Sequence, residues 1–281
     1  MEKLEAALNK AREMRQTALG APQGPGGRPA PGAAAAVVAA VPDQFDWLAL
    51  PAISVPVGKA RRSRISVLFG GKESTPYDLL RSRMVRTMKE KDWSRVAVTS
   101  PGAACGKTTV SLNLALSMAR QKDLRIMLVD LDLRRPTLHK AIGHQPKHSF
   151  HEVLDGSVAF ADQAVRIGDN LIVATNNSPA RHPSELLQGA ATRERLDEIE
   201  KLWKPDVMIF DTSPMLASDD NVGFLGNVDC ALLIAAAEST TLANIDLCEK
   251  DLAQLTNVIG VVLNKCRYAD DTIGYDYGVY G

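Results

Sequence analysis

Short apolar runs alternate with longer amphipathic stretches through most of the chain after residue 75. The apolar runs contain mostly Val, Ile, Leu and Ala, without the apolar–polar alternation of a half-exposed strand. They predict strands at Arg95–Thr99, Arg125–Asp130, Leu171–Ala174, Val207–Asp211, Cys230–Ala236 and Val258–Asn264. Helical periodicity predicts helices at Pro76–Lys89, Lys107–Gln121, Ser184–Leu202 and Leu242–Leu255. The alternation predicts an α/β fold, with a mostly parallel central sheet and helices on both faces.

The first 70 residues have a different texture. Residues 1–16 predict a short helix, and residues 17–60, rich in Gly, Pro and Ala at their start, predict a disordered or extended linker. The α/β domain is expected over residues 75–265, followed by a flexible tail over residues 266–281.

Composition narrows the classes of function. The 33 basic and 33 acidic residues give a net charge of zero, which provides no general attraction to nucleic acid. The four cysteines are scattered and form no CxxC pair, as expected for reduced thiols. The first 16 residues are too charged for a secretory signal, and the apolar run at 33–41 is too short to cross a bilayer. The chain is therefore expected to be cytoplasmic.

The segment from Ser100 to Thr109 lies between a predicted strand and a predicted helix, as a phosphate-binding loop requires. Its backbone N–H groups would surround phosphates, Lys107 would add charge, and Thr108 could bind Mg²⁺. Pro101 stands where such loops usually have their first glycine. The residues expected to bind the nucleotide here are Gly102, Ala103, Ala104, Cys105, Gly106, Lys107, Thr108 and Thr109.

Acidic residues follow two other predicted strands. Asp130 and Asp132 end one apolar strand, and Asp211 ends another in the manner of a Walker B motif. Because parallel strands end at a common sheet edge, these carboxylates are expected near the phosphate-binding loop. There they could hold hydrated Mg²⁺ and accept a proton from an attacking hydroxyl.

Together these motifs resemble the P-loop tyrosine kinases of bacteria, which serve capsule and exopolysaccharide production. Asp130, Asp132 and Arg134 match that family's DxDxR motif, and Asp211 with Pro214 matches its DxxP motif. The segment Pro183–Leu187 fits a Pro-x-Glu-Leu-Leu pattern of the family. Asn264 is similar to a family asparagine that lies against adenine. The resemblance implies a P-loop NTPase fold over roughly residues 75–281.

The C-terminal sequence strengthens the resemblance. Four of the five tyrosines lie within the last fourteen residues, in a glycine-rich stretch without apolar periodicity. Such a tail could present its hydroxyls to the active site of a neighbouring copy. The expected phosphoacceptors are Tyr268, Tyr275, Tyr277 and Tyr280.

The resemblance implies ATP and Mg²⁺ as cofactors. Lys107 and Thr108 would lie at the β- and γ-phosphates, and Thr108, Asp130 and Asp211 would form the metal shell. Asp132 is expected to accept the tyrosine proton with Arg134 nearby, although the division of work between Asp130 and Asp132 stays open.

The resemblance also implies partners. Family members work with a transmembrane activator of the polysaccharide co-polymerase type, so a separate activator would bring this chain to the inner membrane and to exopolysaccharide polymerisation or export. An ExxRxxRxNI oligomerisation motif is partly present: Arg83 and Arg86 match, whereas Leu80 and Met88 replace its Glu and Asn. A homo-oligomer, with ring geometry as one form, and no nucleic-acid partner are expected.

Two other functions fit the same motifs. A partitioning or cell-division ATPase would typically carry a lysine at the start of the loop, where this chain has Gly102. A non-catalytic nucleotide switch that scaffolds polysaccharide export would use the same loop without phosphorylating the tail.

Overall fold

The computed structural model describes residues 46–267. In that range eight strands form one sheet in the order β1-β4-β5-β3-β6-β2-β7-β8. The strands are β1 Ala52–Ile53, β2 Arg95–Thr99, β3 Ile126–Leu131, β4 Val165–Ile167, β5 Leu171–Ala174, β6 Val207–Thr212, β7 Cys230–Ala236 and β8 Asn257–Asn264. All neighbouring pairs are parallel except β4 and β5, so the predicted mostly parallel sheet is confirmed.

Ten α-helices connect or flank these strands in the described part of the chain. They are α1 Val57–Arg62, α2 Thr75–Lys91, α3 Lys107–Met118, α4 Leu138–Ile142, α5 Phe150–Leu154, α6 Phe160–Gln163, α7 Pro183–Gln188, α8 Ala190–Trp203, α9 Asp220–Phe224 and α10 Leu242–Leu255. The single helix predicted over residues 184–202 is two helices, because Gly189 between them has an extended backbone.

Both faces of the sheet are buried. On one face, α2 and α3 pack their apolar residues, such as Met88 and Leu112, over Val96 and Leu128. The other face carries a core that includes Met208 from β6 and residues of α5, α6, α8 and α10. Strands buried on both sides explain why the apolar runs lack a polar alternation.

The linker prediction for residues 17–60 is wrong over its described end. A 3-10 helix at Trp47–Ala49, strand β1 and helix α1 occupy this part of the chain. Trp47 and Leu50 are buried in the core because both are large apolar side chains. The preceding segment, rich in Gly, Pro and Ala, gives no sign of them. The rest of the predicted linker, the predicted helix at 1–16 and the tail from Tyr268 onward lie outside the described residues.

The register of the central strands places the site. Asp130 of β3 pairs with Asp211 of β6, and β2 lies on the other side of β6 and leads directly into the loop at 100–106. The carboxyl ends of three adjacent strands therefore meet at one edge of the sheet, as the order of the motifs predicts.

Candidate functional site

A cavity of about 440 Å³ opens at this edge. The phosphate-binding loop and the start of α3 form one wall, and the segments that follow β3 and β6 form the others. Its lining includes Ala103, Ala104, Gly106, Lys107, Thr108, Thr109, Asp132, Arg134, Arg135, Thr137, Ser213 and Pro214. Most of the predicted loop residues, Lys107 among them, therefore share one cavity with Asp132 and Arg134, two further predicted catalytic residues.

The loop has the backbone of a tight turn before a helix. Gly106 has φ +95°, in the left-handed region, and α3 begins at the next residue, Lys107. A Cβ at position 106 would overlap Nδ2 of Asn264, so both the conformation and the space favour glycine. Gly102 and Cys105 do not line the cavity, and the Cys105 side chain is buried beneath the loop.

Lys107, Thr108 and Asp211 lie together at the base of the site. The Thr108 hydroxyl donates a hydrogen bond to Oδ2 of Asp211 at 2.6 Å, and Ser111 donates to its Oδ1 at 3.2 Å. Burial raises the pKa of Asp211 to about 6, although the Lys107 charge and these hydroxyl groups oppose the shift. Lys107 is itself buried, which strengthens its attraction to an anion.

Asp130 lies deeper than the other acids and does not line the cavity. Its carboxylate accepts hydrogen bonds from the backbone N–H groups of Asp132, at 3.3 Å, and Leu138, at 3.2 Å. Burial raises the pKa of Asp130 well above its ordinary value, and the neighbouring Asp211 adds to the shift. These contacts place Asp130 below Asp132, where it fixes the turn that follows β3.

Asp132 reaches the cavity. Its Oδ1 accepts hydrogen bonds from the backbone N–H of Arg135 at 3.1 Å and from the Ser213 hydroxyl at 3.3 Å. The carboxylate is partly exposed, unlike that of Asp130, so it can meet an incoming hydroxyl group. The geometry thus separates one accessible acid from one enclosed acid.

Arg134 also lines the cavity, but its guanidinium is paired with an acid. Asp220, at the start of α9, accepts hydrogen bonds from its Nε and Nη2 at 2.8 and 3.0 Å. Sequence patterns did not single out Asp220 or Ser213, whereas Ser184, which also contacts Arg134, belongs to the noted Pro183–Leu187 segment. The acid pair at 219–220, close after the Walker B motif, was the only available signal.

Asn264, at the end of β8, contacts the phosphate-binding loop from outside the cavity. Its Nδ2 donates a hydrogen bond to the Cys105 carbonyl at 2.9 Å, and the residue does not line the cavity. Through this contact β8 supports the loop from below. The four predicted tail phosphoacceptors lie outside the described residues.

The residues present suit a nucleotide with a divalent cation. A neighbouring cation stabilises the charged form of a buried carboxylate whose pKa is raised, such as Asp211. The Thr108 hydroxyl beside Asp211 is a ligand type that Mg²⁺ accepts. Between residues 46 and 267, no three His, Cys, Asp or Glu side chains are grouped as metal ligands. Mg²⁺ sites commonly combine one or two protein groups with phosphates and water.

No helix among the described residues is both long and apolar enough to cross a bilayer.

Comparison with known proteins agrees with the geometry. The CobQ/CobB/MinD/ParA nucleotide-binding domain family matches residues 96–274. The tyrosine-protein kinase YwqD of Bacillus subtilis is 29% identical over 212 residues, which cover 74% of this chain and 86% of that protein. The tyrosine-protein kinase etk of Escherichia coli K12 is 30% identical over 187 residues, which cover 66% of this chain but 25% of that protein.

A solved structure has a similar fold. The kinase domain of the Escherichia coli tyrosine kinase ETK superposes with a TM-score of 0.65 and 28% identity, covering 74% of this chain and 81% of that domain. The predicted resemblance to bacterial tyrosine kinases is thus confirmed. The chain spans most of the Bacillus protein but only a quarter of the Escherichia coli one.

Proposed function

The chain belongs to the family of CobQ/CobB/MinD/ParA nucleotide-binding domains, and from that membership we propose that it binds ATP with Mg²⁺ and phosphorylates tyrosine. The observation that carries this proposal is the shared cavity, in which Lys107 and Thr108 face an accessible acid, Asp132. Similarity to proteins named as tyrosine kinases supports phosphoryl transfer over other reactions of the family.

Each part of the cavity has a role in the proposal. The loop from Gly102 to Thr109 binds the phosphates through backbone N–H groups, and Lys107 lies at the β- and γ-phosphates. Thr108, Asp130 and Asp211 would hold Mg²⁺, with Thr108 and Asp211 nearest the cavity. When bound, Mg²⁺ would stabilise the negative charge that develops on the phosphate oxygens.

Asp132 is the proposed base. It accepts the proton of the tyrosine hydroxyl while the phenolic oxygen bonds to the γ-phosphorus and the bond to the β–γ bridging oxygen breaks, releasing ADP. Arg134 supplies positive charge on the same cavity wall. Asn264 contacts adenine in this proposal while it also supports the loop at Cys105.

The proposed acceptors are Tyr268, Tyr275, Tyr277 and Tyr280, presented in trans by a second copy. Phosphorylation adds about −1.5 to −2 charge units per tyrosine, so crowded tails would repel one another and weaken the assembly. Arg83 and Arg86 lie on the exposed side of α2, where a neighbouring copy could contact them.

The regulatory setting is part of the same proposal. The chain would respond to a separate membrane protein of the polysaccharide co-polymerase type and regulate polymerisation or export of an exopolysaccharide. That partner would hold it at the inner membrane. The link to exopolysaccharide and to a membrane partner rests on the family resemblance of the motifs.

A mixing experiment tests transfer in trans. One chain carries Lys107→Met and keeps its tail; the other keeps its site but has all four tail tyrosines changed to Phe. With ATP and Mg²⁺, we expect phosphotyrosine on the Lys107→Met chain only when both are present, measured by intact mass. A wild-type chain that labels itself while the mixture stays unlabelled would show transfer in cis. ATP binding without phosphotyrosine in any sample would favour the alternative function, a non-catalytic nucleotide switch that scaffolds polysaccharide export.

A further inference from the structure

Asp220 is an enclosed carboxylate with an unusual number of donors. Its side chain is only 1% exposed. The groups within hydrogen-bond distance of it are Nε and Nη2 of Arg134 and the hydroxyls of Ser184, Ser213 and Ser218. These donors come from three separate segments of the chain: the loop after β3, helix α7 and the loop after β6.

The contact with Arg134 is bidentate. Nε lies 2.8 Å from Oδ2 and Nη2 lies 3.0 Å from Oδ1, the fork geometry that fixes both the position and the plane of a guanidinium. The neighbouring Asp219 is 3.6 Å from Arg134 and 2.7 Å from the Ser184 hydroxyl, but its side chain is 67% exposed, so water screens its pairing with Arg134. Asp220 therefore sets where the Arg134 charge lies.

The same carboxylate is linked to Asp132. The Ser213 hydroxyl is 3.2 Å from Oδ2 of Asp220 and 3.3 Å from Oδ1 of Asp132, so its proton can be donated to either acid. Burial would raise the pKa of Asp220, but hydrogen bonds from Arg134, Ser184 and Ser218 outweigh burial and lower it. Asp220 is thus ionised and paired at neutral pH.

Helix α9 has anchors that do not involve the Asp220 carboxylate. The Asn221 side chain donates to the Ser213 carbonyl at 2.6 Å and to the Thr99 hydroxyl at 3.3 Å. The Phe224 ring packs edge-on against Phe210 at 5.2 Å between ring centroids. The Asp220 carboxylate is therefore not the sole anchor of this helix.

We propose that Asp220 is a positioning residue for phosphoryl transfer, which fixes the Arg134 guanidinium on the cavity wall that Asp132 shares. This inference rests on the proposed kinase function. Ser184 assists, because its hydroxyl accepts from Nη2 of Arg134 at 2.9 Å and lies 2.6 Å from Oδ1 of Asp220. The Pro183–Leu187 segment thereby becomes part of the site.

A double-mutant cycle tests the proposal on the full chain, with Arg134→Gln, Asp220→Asn, the pair, and Asp219→Asn as matched control. We expect each of the first two to lower kcat for tail phosphorylation about tenfold or more, with KM for ATP within about threefold of wild type. The double variant should have a kcat no lower than that of Arg134→Gln alone, because Asp220 acts through Arg134. Asp219→Asn should match wild type.

Losses that multiply in the pair, a kcat for Asp220→Asn within twofold of wild type, or an equal loss in Asp219→Asn would overturn the inference. Wild-type chain without any phosphotyrosine would instead count against the kinase function. If Asp220→Asn does not fold, Ser184→Ala takes its place in the cycle. Its loss of kcat should be smaller, and it should add no further loss when combined with Arg134→Gln.

A second measurement does not depend on activity. In arginine-labelled protein, the Nε–H resonance of Arg134, assigned from its absence in Arg134→Gln, should exchange slowly with solvent. We expect that protection to disappear in Asp220→Asn, or to weaken in Ser184→Ala, and to persist in Asp219→Asn. Unchanged protection in Asp220→Asn would overturn the inference even if the isolated chain has no kinase activity.

Discussion

Gly106 shows how one backbone angle supports the loop. Its φ of +95° favours glycine, and the space for a Cβ is taken by Asn264. We expect Gly106→Ala to lower the free energy of unfolding by about 1–3 kcal/mol and to weaken ATP binding, because both the angle and the Asn264 contact are disturbed. Urea unfolding and nucleotide titration measure the two effects.

Gly102→Ala is the matched control for Gly106→Ala. Nothing lies within 4 Å of a Cβ built at position 102, so this variant should keep wild-type stability and affinity. Equal losses in the two variants would mean that the loop tolerates no added methyl group anywhere, and the argument from Gly106 would fail.

Asp211 opposes folding when the site has no ligand. With a folded pKa of about 6 and an ordinary value of 3.8, the unfolded chain loses its proton first as pH rises. The free energy of unfolding therefore falls by up to about 3 kcal/mol between pH 4 and 6, and it stays low at higher pH. Asp211→Asn should recover up to that amount at pH 7.5 and about 1 kcal/mol at pH 4.5.

Urea unfolding without Mg²⁺ or nucleotide, at both pH values, measures the Asp211 effect. The exposed Asp123→Asn should change little at either pH. The same Asp211→Asn chain should bind ATP with Mg²⁺ more weakly than wild type, since the proposed metal contact is lost. A variant less stable than wild type at pH 7.5 would contradict the assigned cost of the buried charge.

The residues of the site divide into those that sequence could identify and those that it could not. Lys107, Thr108 and Asp211 belong to local motifs with a fixed strand–loop–helix context, so their neighbourhood was predictable. The enclosure of Asp130 and the pairing of Arg134 with Asp220 depend on which segments meet in three dimensions. Asp220 is 86 residues from Arg134, and no local pattern encodes that distance.

At the scale of elements, the strands buried on both faces were predictable because their apolar runs are continuous. Two short strands on one side of the sheet, β1 and β4, were not. Strand β1 has two residues and β4 has three, too few for a periodicity to emerge. Their pairing brings together residues more than 100 positions apart, with Ala52 opposite Arg166. Strands this short are set by the sheet they join rather than by their own sequence.

The segment before α1 is the clearest element that sequence patterns missed. A substitution at Trp47 tests how much this segment stabilises the fold. Trp47 is 4% exposed, and its Nε1 donates to the Trp203 carbonyl at 2.7 Å. We expect Trp47→Ala to lower the free energy of unfolding by about 3–5 kcal/mol, because a large buried ring and its hydrogen bond are removed. The adjacent Leu48, 55% exposed, gives the control Leu48→Ala, which should cost little.

Equal unfolding midpoints for Trp47→Ala and wild type would show that this segment does not contribute to the folded domain. A loss confined to Trp47→Ala would show that the folded unit begins well before the predicted boundary at residue 75.

At the scale of the whole molecule, the strand order explains the site. Strands β3, β6 and β2 are adjacent in the sheet, although residues 132–206 lie between β3 and β6 along the chain. Their carboxyl ends therefore bring three motifs to one cavity, which right-handed crossovers of a parallel sheet make predictable. The proposed acceptors begin directly after the described residues, with Tyr268 four positions beyond the end of β8.

Mapping phosphotyrosine after incubation with ATP and Mg²⁺ tests the central claim most directly. Wild-type chain and the control Lys89→Met, changed at an exposed lysine of α2, should carry phosphate on the tail tyrosines. Lys107→Met, which removes the charge at the phosphates, should carry none. Phosphotyrosine that persists in Lys107→Met, or a wild-type chain that binds ATP with Mg²⁺ and yet acquires no phosphate, would contradict the account.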